Sequence, residues 1–164
     1  MSRPRAVTTI RDLLSFRLHA VANLLSRGAE MRYRREFGVS LWEWRSVALL
    51  GGAAAPLSLN ELARAAGVDK SQMSRVVSGL AARGLVLRAA DANDARGVRL
   101  KLSAAGRRLY GGLMRAAAER NAAFLGALSA RERAVLTAAL DKLGERARDF
   151  IHRERALAAG PRRR

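Results

Sequence analysis

The sequence predicts a mainly α-helical fold carrying one small β-hairpin, on three observations. Apolar residues recur at three- and four-residue steps through most of the 164 residues. Serine and glutamate stand in the S-x-x-E spacing at Ser40 and Glu43, Ser58 and Glu61, and Ser129 and Glu132. In that spacing the serine side chain satisfies a free N–H of the first helical turn, and the glutamate reaches back to the serine's own amide. Between the helical stretches, Val98 to Leu102 reads VRLKL and alternates with the two-residue period of a strand.

The elements follow in order. Thr9 to Phe37 carries Ile10, Leu14, Leu18, Val21 and Leu25 along one side of a long helix, which Gly38 ends. Ser40 and Glu43 open a second helix through Leu50, with Trp44, Val47 and Leu50 inward. Ser58 and Glu61 open a short third helix whose inward face is Leu62, Ala63 and Ala66. Ala63 is small enough to let the next helix cross close by. Gly67 falls where that helix must stop in the left-handed region, which glycine enters without steric cost. Val68 plugs the corner, and Asp69 with Gln72 starts the next helix. There Met73, Val76, Val77 and Leu80 point inward, leaving Lys70, Ser71, Gln72, Ser74, Arg75 and Ser78 outside. Short donors and cations on one outward face suit phosphates and base edges. The pair reads as a helix-turn-helix. An ordinary pair of packed helices would share its glycine corner but not what comes next.

Gly84 closes the second helix of the pair, and Leu85 to Arg88 reads as a short strand. Asp91 to Gly97, DANDARG, is rich in turn formers and reads as a loop before the VRLKL strand. Two strands and a basic-tipped loop after such a helix describe a winged helix-turn-helix. Arg96 at the tip suits a minor groove, whose negative potential attracts a guanidinium. Arg99, on the outward side of the strand, is a further candidate DNA contact. Ser103 caps a helix running to about Leu125, broken by Gly126. Ser129 and Glu132 start a last helix with Val135, Leu136, Leu140, Leu143, Ala147, Phe150, Ile151 and Leu157 along one side.

From Ser40 to Tyr110 this pattern resembles the multiple antibiotic resistance regulator (MarR) family. The family has a serine-arginine pair in the recognition helix, then a leucine, a glycine and a valine, then a D-x-R wing and L-S/T-x-x-G. Here these are Ser74 and Arg75, Leu80, Gly84 with Val86, Asp94 to Arg96, and Leu102, Ser103 and Gly106. The resemblance implies that Arg96 enters the minor groove and that Asp94 holds the wing in shape. It implies a homodimer, built by helices over residues 9–37 and 103–157 around a DNA-binding region at 38–102, in one structural domain overall. Residues 1–8 and 158–164 are expected to be disordered. A two-fold dimer would place its recognition helices about one DNA turn apart on a pseudo-palindromic operator. The periodicity alone would equally fit a monomeric bundle. Gly79 departs from the family, which more often has a polar or charged residue there, so no side-chain contact is assigned at that position.

Composition agrees. The formal charge of +17 favours a polyanionic partner. It is spread as +5 over residues 1–57, +4 over 58–102 and +8 over 103–164, a broad field around a few contacts. The absence of cysteine excludes disulfides, thiolate zinc sites and thiol redox sensing. His19 and His152 share no ligand spacing, so no metal or cofactor is expected. No phosphate loop, nucleophile elbow or carboxylate pair points to an enzyme. No apolar stretch is long enough to span a membrane and no signal peptide is evident, so a cytoplasmic, nucleoid-associated location is expected. The family resemblance implies a small aromatic or anionic effector, for which His19, Asn23, Trp42 and Arg45 are the candidate pocket residues. The expectation is a dimeric, sequence-specific, ligand-released repressor. A constitutive or architectural DNA-binding protein, or a winged-helix protein–protein adaptor, are the alternatives.

Overall fold

A computed structural model of the chain describes residues 8–91 and 94–159, and their side chains except at positions 91 and 94–97. The chain divides into two compact units, 1–117 and 118–164. The division falls inside the helix Ala104–Gly126. The described elements are α1 (Leu14–Phe37), α2 (Leu41–Gly52), β1 (Leu57–Ser58), α3 (Leu59–Ala66), α4 (Lys70–Ala82), β2 (Val86–Asp91), β3 (Asp94–Leu102), α5 (Ala104–Gly126) and α6 (Ala130–Ala158). This is the expected mainly α fold with a small β-wing.

Local chemistry sets most boundaries. At each S-x-x-E site both halves of the capping box form, Ser40 with Glu43, Ser58 with Glu61 and Ser129 with Glu132. Asp69 caps α4, its carboxylate accepting the Gln72 N–H at 2.7 Å. Ser103 caps α5, its hydroxyl oxygen accepting the Gly106 N–H at 3.0 Å while its proton goes to the Gly84 carbonyl. Gly67 sits at φ 71° between α3 and α4, the left-handed corner expected of it.

Three expectations need correction. The first helix does not begin at Thr9. Thr9 and Asp12 instead make a capping box around a 3-10 turn, Ile10–Asp12, and α1 starts at Leu14. The loop expected over Asp91–Gly97 is largely strand, since β2 runs to Asp91 and β3 begins at Asp94. The hairpin is therefore longer than its turn-rich sequence implied, with a register shift at Ala90/Asp91. And the sheet has a third strand, in the antiparallel order β1-β3-β2, with Leu57 opposite Leu100.

The core lies in the first unit. Val47 and Leu50 of α2, Leu62 and Ala63 of α3, Met73, Val77 and Leu80 of α4, and Val86, Leu100 and Leu102 of the sheet are buried together. Trp44 and Val76 pack partly buried against them. Ser46 is also fully buried, its hydroxyl donating to the Trp42 carbonyl at 2.8 Å and lying 3.3 Å from the Met73 sulfur. Helix α1 joins this core through Ala29 and Tyr33, not through the predicted stripe, of which Leu14, Leu18, Val21 and Leu25 are exposed. Tyr33 packs against Trp44 with the ring centroids 5.0 Å apart and the planes tilted by 51°. Gly106 is fixed by close approach: a Cβ there would run into the Leu85 carbonyl. In α6 no described residue is buried.

Candidate nucleic-acid interface

Helix α4 is pressed onto the core by Met73, Val77 and Leu80, with Val76 partly buried beside them, and its polar positions face out. Lys70, Ser71, Arg75, Ser78 and Gly79 are exposed, and Gln72 and Ser74 are half-buried beside them. The predicted outward face therefore exists as one continuous strip. The side chains of Asp94 and Arg96, assigned to the wing, lie outside the described residues.

Hydrogen bonding decides what the strip offers. The Ser71 hydroxyl donates to the Asp69 carboxylate at 2.9 Å, so its lone pairs are what remain for an acceptor role. The Gln72 N–H, then Ser71, and at longer range the Arg75 charge hold the Asp69 carboxyl below its ordinary range. Ser78 is the reverse case. Its hydroxyl oxygen accepts Arg88 Nη2 of β2 at 2.9 Å, leaving its own proton to donate.

Two arginines of the winged core are turned back on the protein. Arg99, predicted as a DNA contact, is half-buried and lies 3.0 Å from Glu61 and 3.4 Å from the Pro56 carbonyl. It braces the wing root on the α3 capping box. Arg83, just past α4, pairs with Glu43 of the α2 capping box at 3.0 Å. Each glutamate thus serves a helix start and an arginine from another element. Sequence reasoning missed Arg83 and Arg88 as partners of this face. Arg88 was findable, because it follows Val86 by two on a strand and so shares the face that covers α4.

The four candidate effector residues form two pairs. Asn23 and His19 lie 2.9 Å apart, one turn from each other on exposed α1. Arg45 stands 4.8 Å over the Trp42 ring and reaches Ser26 of α1 at 3.4 Å. His19, Asn23 and Ser26 recur at helical spacing, so Ser26 is what brings the pairs onto one side of α1. The described cleft nearest to them, of about 370 Å³, is lined by Trp44, Arg45, Ala48, Leu49, Ala65 and Ala66. Of the four, only Arg45 borders it. Among the described residues there is no group of three or more metal-ligating side chains, and no helix is long and apolar enough to cross a membrane.

Comparison with known proteins places this arrangement. A profile of the MarR family matches residues 37–97, from the end of α1 into the wing. The MarR family transcriptional regulator of Silicibacter pomeroyi DSS-3 is 32% identical, over 83% of this chain and 98% of that one, with a TM-score of 0.70. The MarR/EmrR family transcriptional regulator of Acinetobacter sp. ADP1 is 25% identical, over 82% and 94%, with a TM-score of 0.75. The fold alone is shared with MepR of Staphylococcus aureus, solved as a DNA complex, at 19% identity, 81% and 97% coverage and a TM-score of 0.74. Comparison with curated proteins returns no match. With its winged-helix core, its outward polar strip on α4 and a relative this similar along its whole length, the chain belongs to the MarR family of transcriptional regulators.

Proposed function

We propose that the protein is a homodimeric, sequence-specific DNA-binding repressor of a nearby operon, released by a small aromatic or anionic ligand. The observation that carries this reading is the outward strip of α4, where Lys70, Ser71, Gln72, Ser74, Arg75 and Ser78 crowd donors, acceptors and charge onto one helix face. Such a strip on a helix backed by a complete apolar core is what a major groove accepts. Arg75, exposed at its middle, reads a base edge, and Arg96, by its place in the wing sequence, takes the minor groove with Asp94 supporting the loop. Arg99 serves the site indirectly, through Glu61. MepR, whose fold this chain shares, was solved with DNA, which supports the same mode of use here.

Residues 9–37 and 103–157 serve dimerisation in this reading. Support comes from the apolar side chains that one chain leaves in water, among them Leu14, Leu18 and Val21 of α1 and Val135, Leu136, Leu140, Phe150 and Ile151 of α6. The Arg45–Trp42 pair, with Ser26, Asn23 and His19 beside it, supplies a cation and an aromatic plane for a carboxylated aromatic effector. Such an effector releases DNA only if it binds one arrangement of the two readers better than the other. A cytoplasmic location follows from the role.

The test is binding of the purified protein to a labelled duplex from upstream of its own coding sequence, against scrambled DNA, across a salt series. A preference of about a thousandfold or more is expected. Equal binding, falling steeply with salt, would replace the reading with a non-specific coating role, and no binding would favour an adaptor. Arg75→Ala should cost about 1–3 kcal/mol on the preferred duplex and little on the scrambled one. An equal loss on both would remove Arg75 from base reading.

A further inference from the structure

Arg83 and Arg88 border the C-terminal half of α4 and Arg99 lies on the far face of the sheet, and the partners of the three differ in kind. Arg83 is paired with the Glu43 carboxylate and Arg99 with that of Glu61, so both charges are compensated within the fold. Arg88 is exposed, and among the described residues its hydrogen-bond partner is the neutral hydroxyl of Ser78. That bond fixes the direction of the guanidinium along α4 without cancelling its charge. A guanidinium has five N–H donors, and this contact uses one.

The next residue along α4 is Gly79. It is exposed, and a Cβ built there would meet no atom within 4 Å. The protein itself therefore does not require glycine at this position. Its φ is not positive either, since the positive-φ glycines are Gly38, Gly67 and Gly84. Glycine costs a helix interior stability relative to alanine, and no packing or conformational gain inside the fold offsets that cost. What glycine does provide is a bare stretch of helix surface. It lies one turn after Arg75, at the spacing that puts both on one face, and adjoins Ser78 with its tethered Arg88.

Resting on the DNA-binding reading above, we propose that Ser78, Gly79 and Arg88 form a clamp for one DNA backbone phosphate at the rim of the major groove. The Arg88 guanidinium supplies the charge, the Ser78 hydroxyl donates its free proton, and Gly79 lets the phosphate approach the helix closely. The position on α4 is consistent with this division of labour. The N-terminal residues of a recognition helix reach base edges, whereas its later turns lie over the sugar-phosphate chain. A phosphate contact carries no sequence information but fixes register. Arg88 thus becomes the point where the wing strand β2 and the recognition helix grip the same strand of DNA.

The experiment measures affinity and its salt dependence for full-length wild type, Arg88→Gln, Ser78→Ala and Gly79→Gln, each on the upstream duplex and on a scrambled duplex of equal length. Arg88→Gln should weaken binding to both duplexes by the same factor, and the slope of log affinity against log salt should fall by about one phosphate's worth. Ser78→Ala should weaken both less, and adding it to Arg88→Gln should cost little more. Gly79→Gln is the discriminating variant: its thermal midpoint should rise while its DNA affinity falls. The clamp is overturned if Arg88→Gln keeps the wild-type salt slope, if it shifts preference between the duplexes, or if Gly79→Gln binds as tightly as wild type. Those outcomes leave the DNA-binding reading intact. Wild type that binds neither duplex overturns both.

Discussion

The winged core and the C-terminal helix α6 were written in the same vocabulary of S-x-x-E starts and apolar stripes, yet they end in opposite states. In the core the stripes of α2, α3 and α4 close on one another and on the sheet, and Leu62, Met73 and Leu80 have no exposed surface. Along α6 the stripe stays uncovered among the described residues, with Val135 at 62% and Leu157 at 74% exposure. An apolar pattern with a helical period therefore states that a face wants to be covered. It does not state by what.

The largest effect should separate the two regions directly. Leu80→Ala removes a fully buried side chain and should cost about 2–5 kcal/mol in a denaturant melt, with a midpoint independent of protein concentration. Leu140→Ala removes a side chain that is 47% exposed in the lone chain. If a second copy covers it, the loss should appear only as a midpoint that shifts with concentration, as mass action requires. A concentration-independent loss at Leu140 would mean that the chain covers its own stripe.

A smaller effect tests how tightly the core is joined. Gly106→Ala pushes a methyl at the Leu85 carbonyl, which is backbone and cannot rotate away. Overpacking of this kind should cost about 1–3 kcal/mol, read as a lower melting temperature. An unchanged midpoint would mean that α5 can slide relative to the strand.

This difference also explains what could be foreseen. Helix starts at Ser40, Ser58 and Ser129, and the corner at Gly67, depend on contacts within four residues, so the sequence carried them whole. Strand β1 did not show, because two residues have no period and Leu57 becomes a strand only through Leu100, far along the chain. The wing was read too short for the same reason: DANDARG looks like turn chemistry, and only pairing with β2 converts its end into β3. At the candidate interface, the outward strip of α4 was legible from the helical period. The pairing of Arg99 with Glu61 was not, because a cation on a strand looks alike whether it faces DNA or a capping box.

The smallest effect is a pH dependence. Glu61 is held below its ordinary value by the Ser58 N–H, the Ser58 hydroxyl and the Arg99 charge, whereas the Ser129 hydroxyl and N–H alone do this for Glu132. A carboxylate depressed in the folded state stabilises it above the unfolded pKa and loses that contribution as pH falls through the folded one. Stability should therefore decline as the pH drops below about 4.5, the ordinary glutamate value. Glu61→Gln should be less stable at neutral pH and should decline less steeply in acid, as followed by thermal melts. An acid limb identical to wild type would assign the decline to other carboxylates, with Asp69 and Glu36 next in line.

The three-stranded root of the wing has a mechanical consequence. β1 pairs with β3 only at Leu100 and Arg99, and the Arg99 contacts to Glu61 and the Pro56 carbonyl lie at the same level. From Val98 outward the described ladder is β2 against β3 alone. The hairpin is a cantilever clamped at one end. Two-stranded ribbons twist more freely than wider sheets, so a load at the free end bends the beam first and reaches the clamp afterwards. Bending of the paired strands beyond Val98 therefore leaves the root holding α3, and through it α4, at a fixed angle.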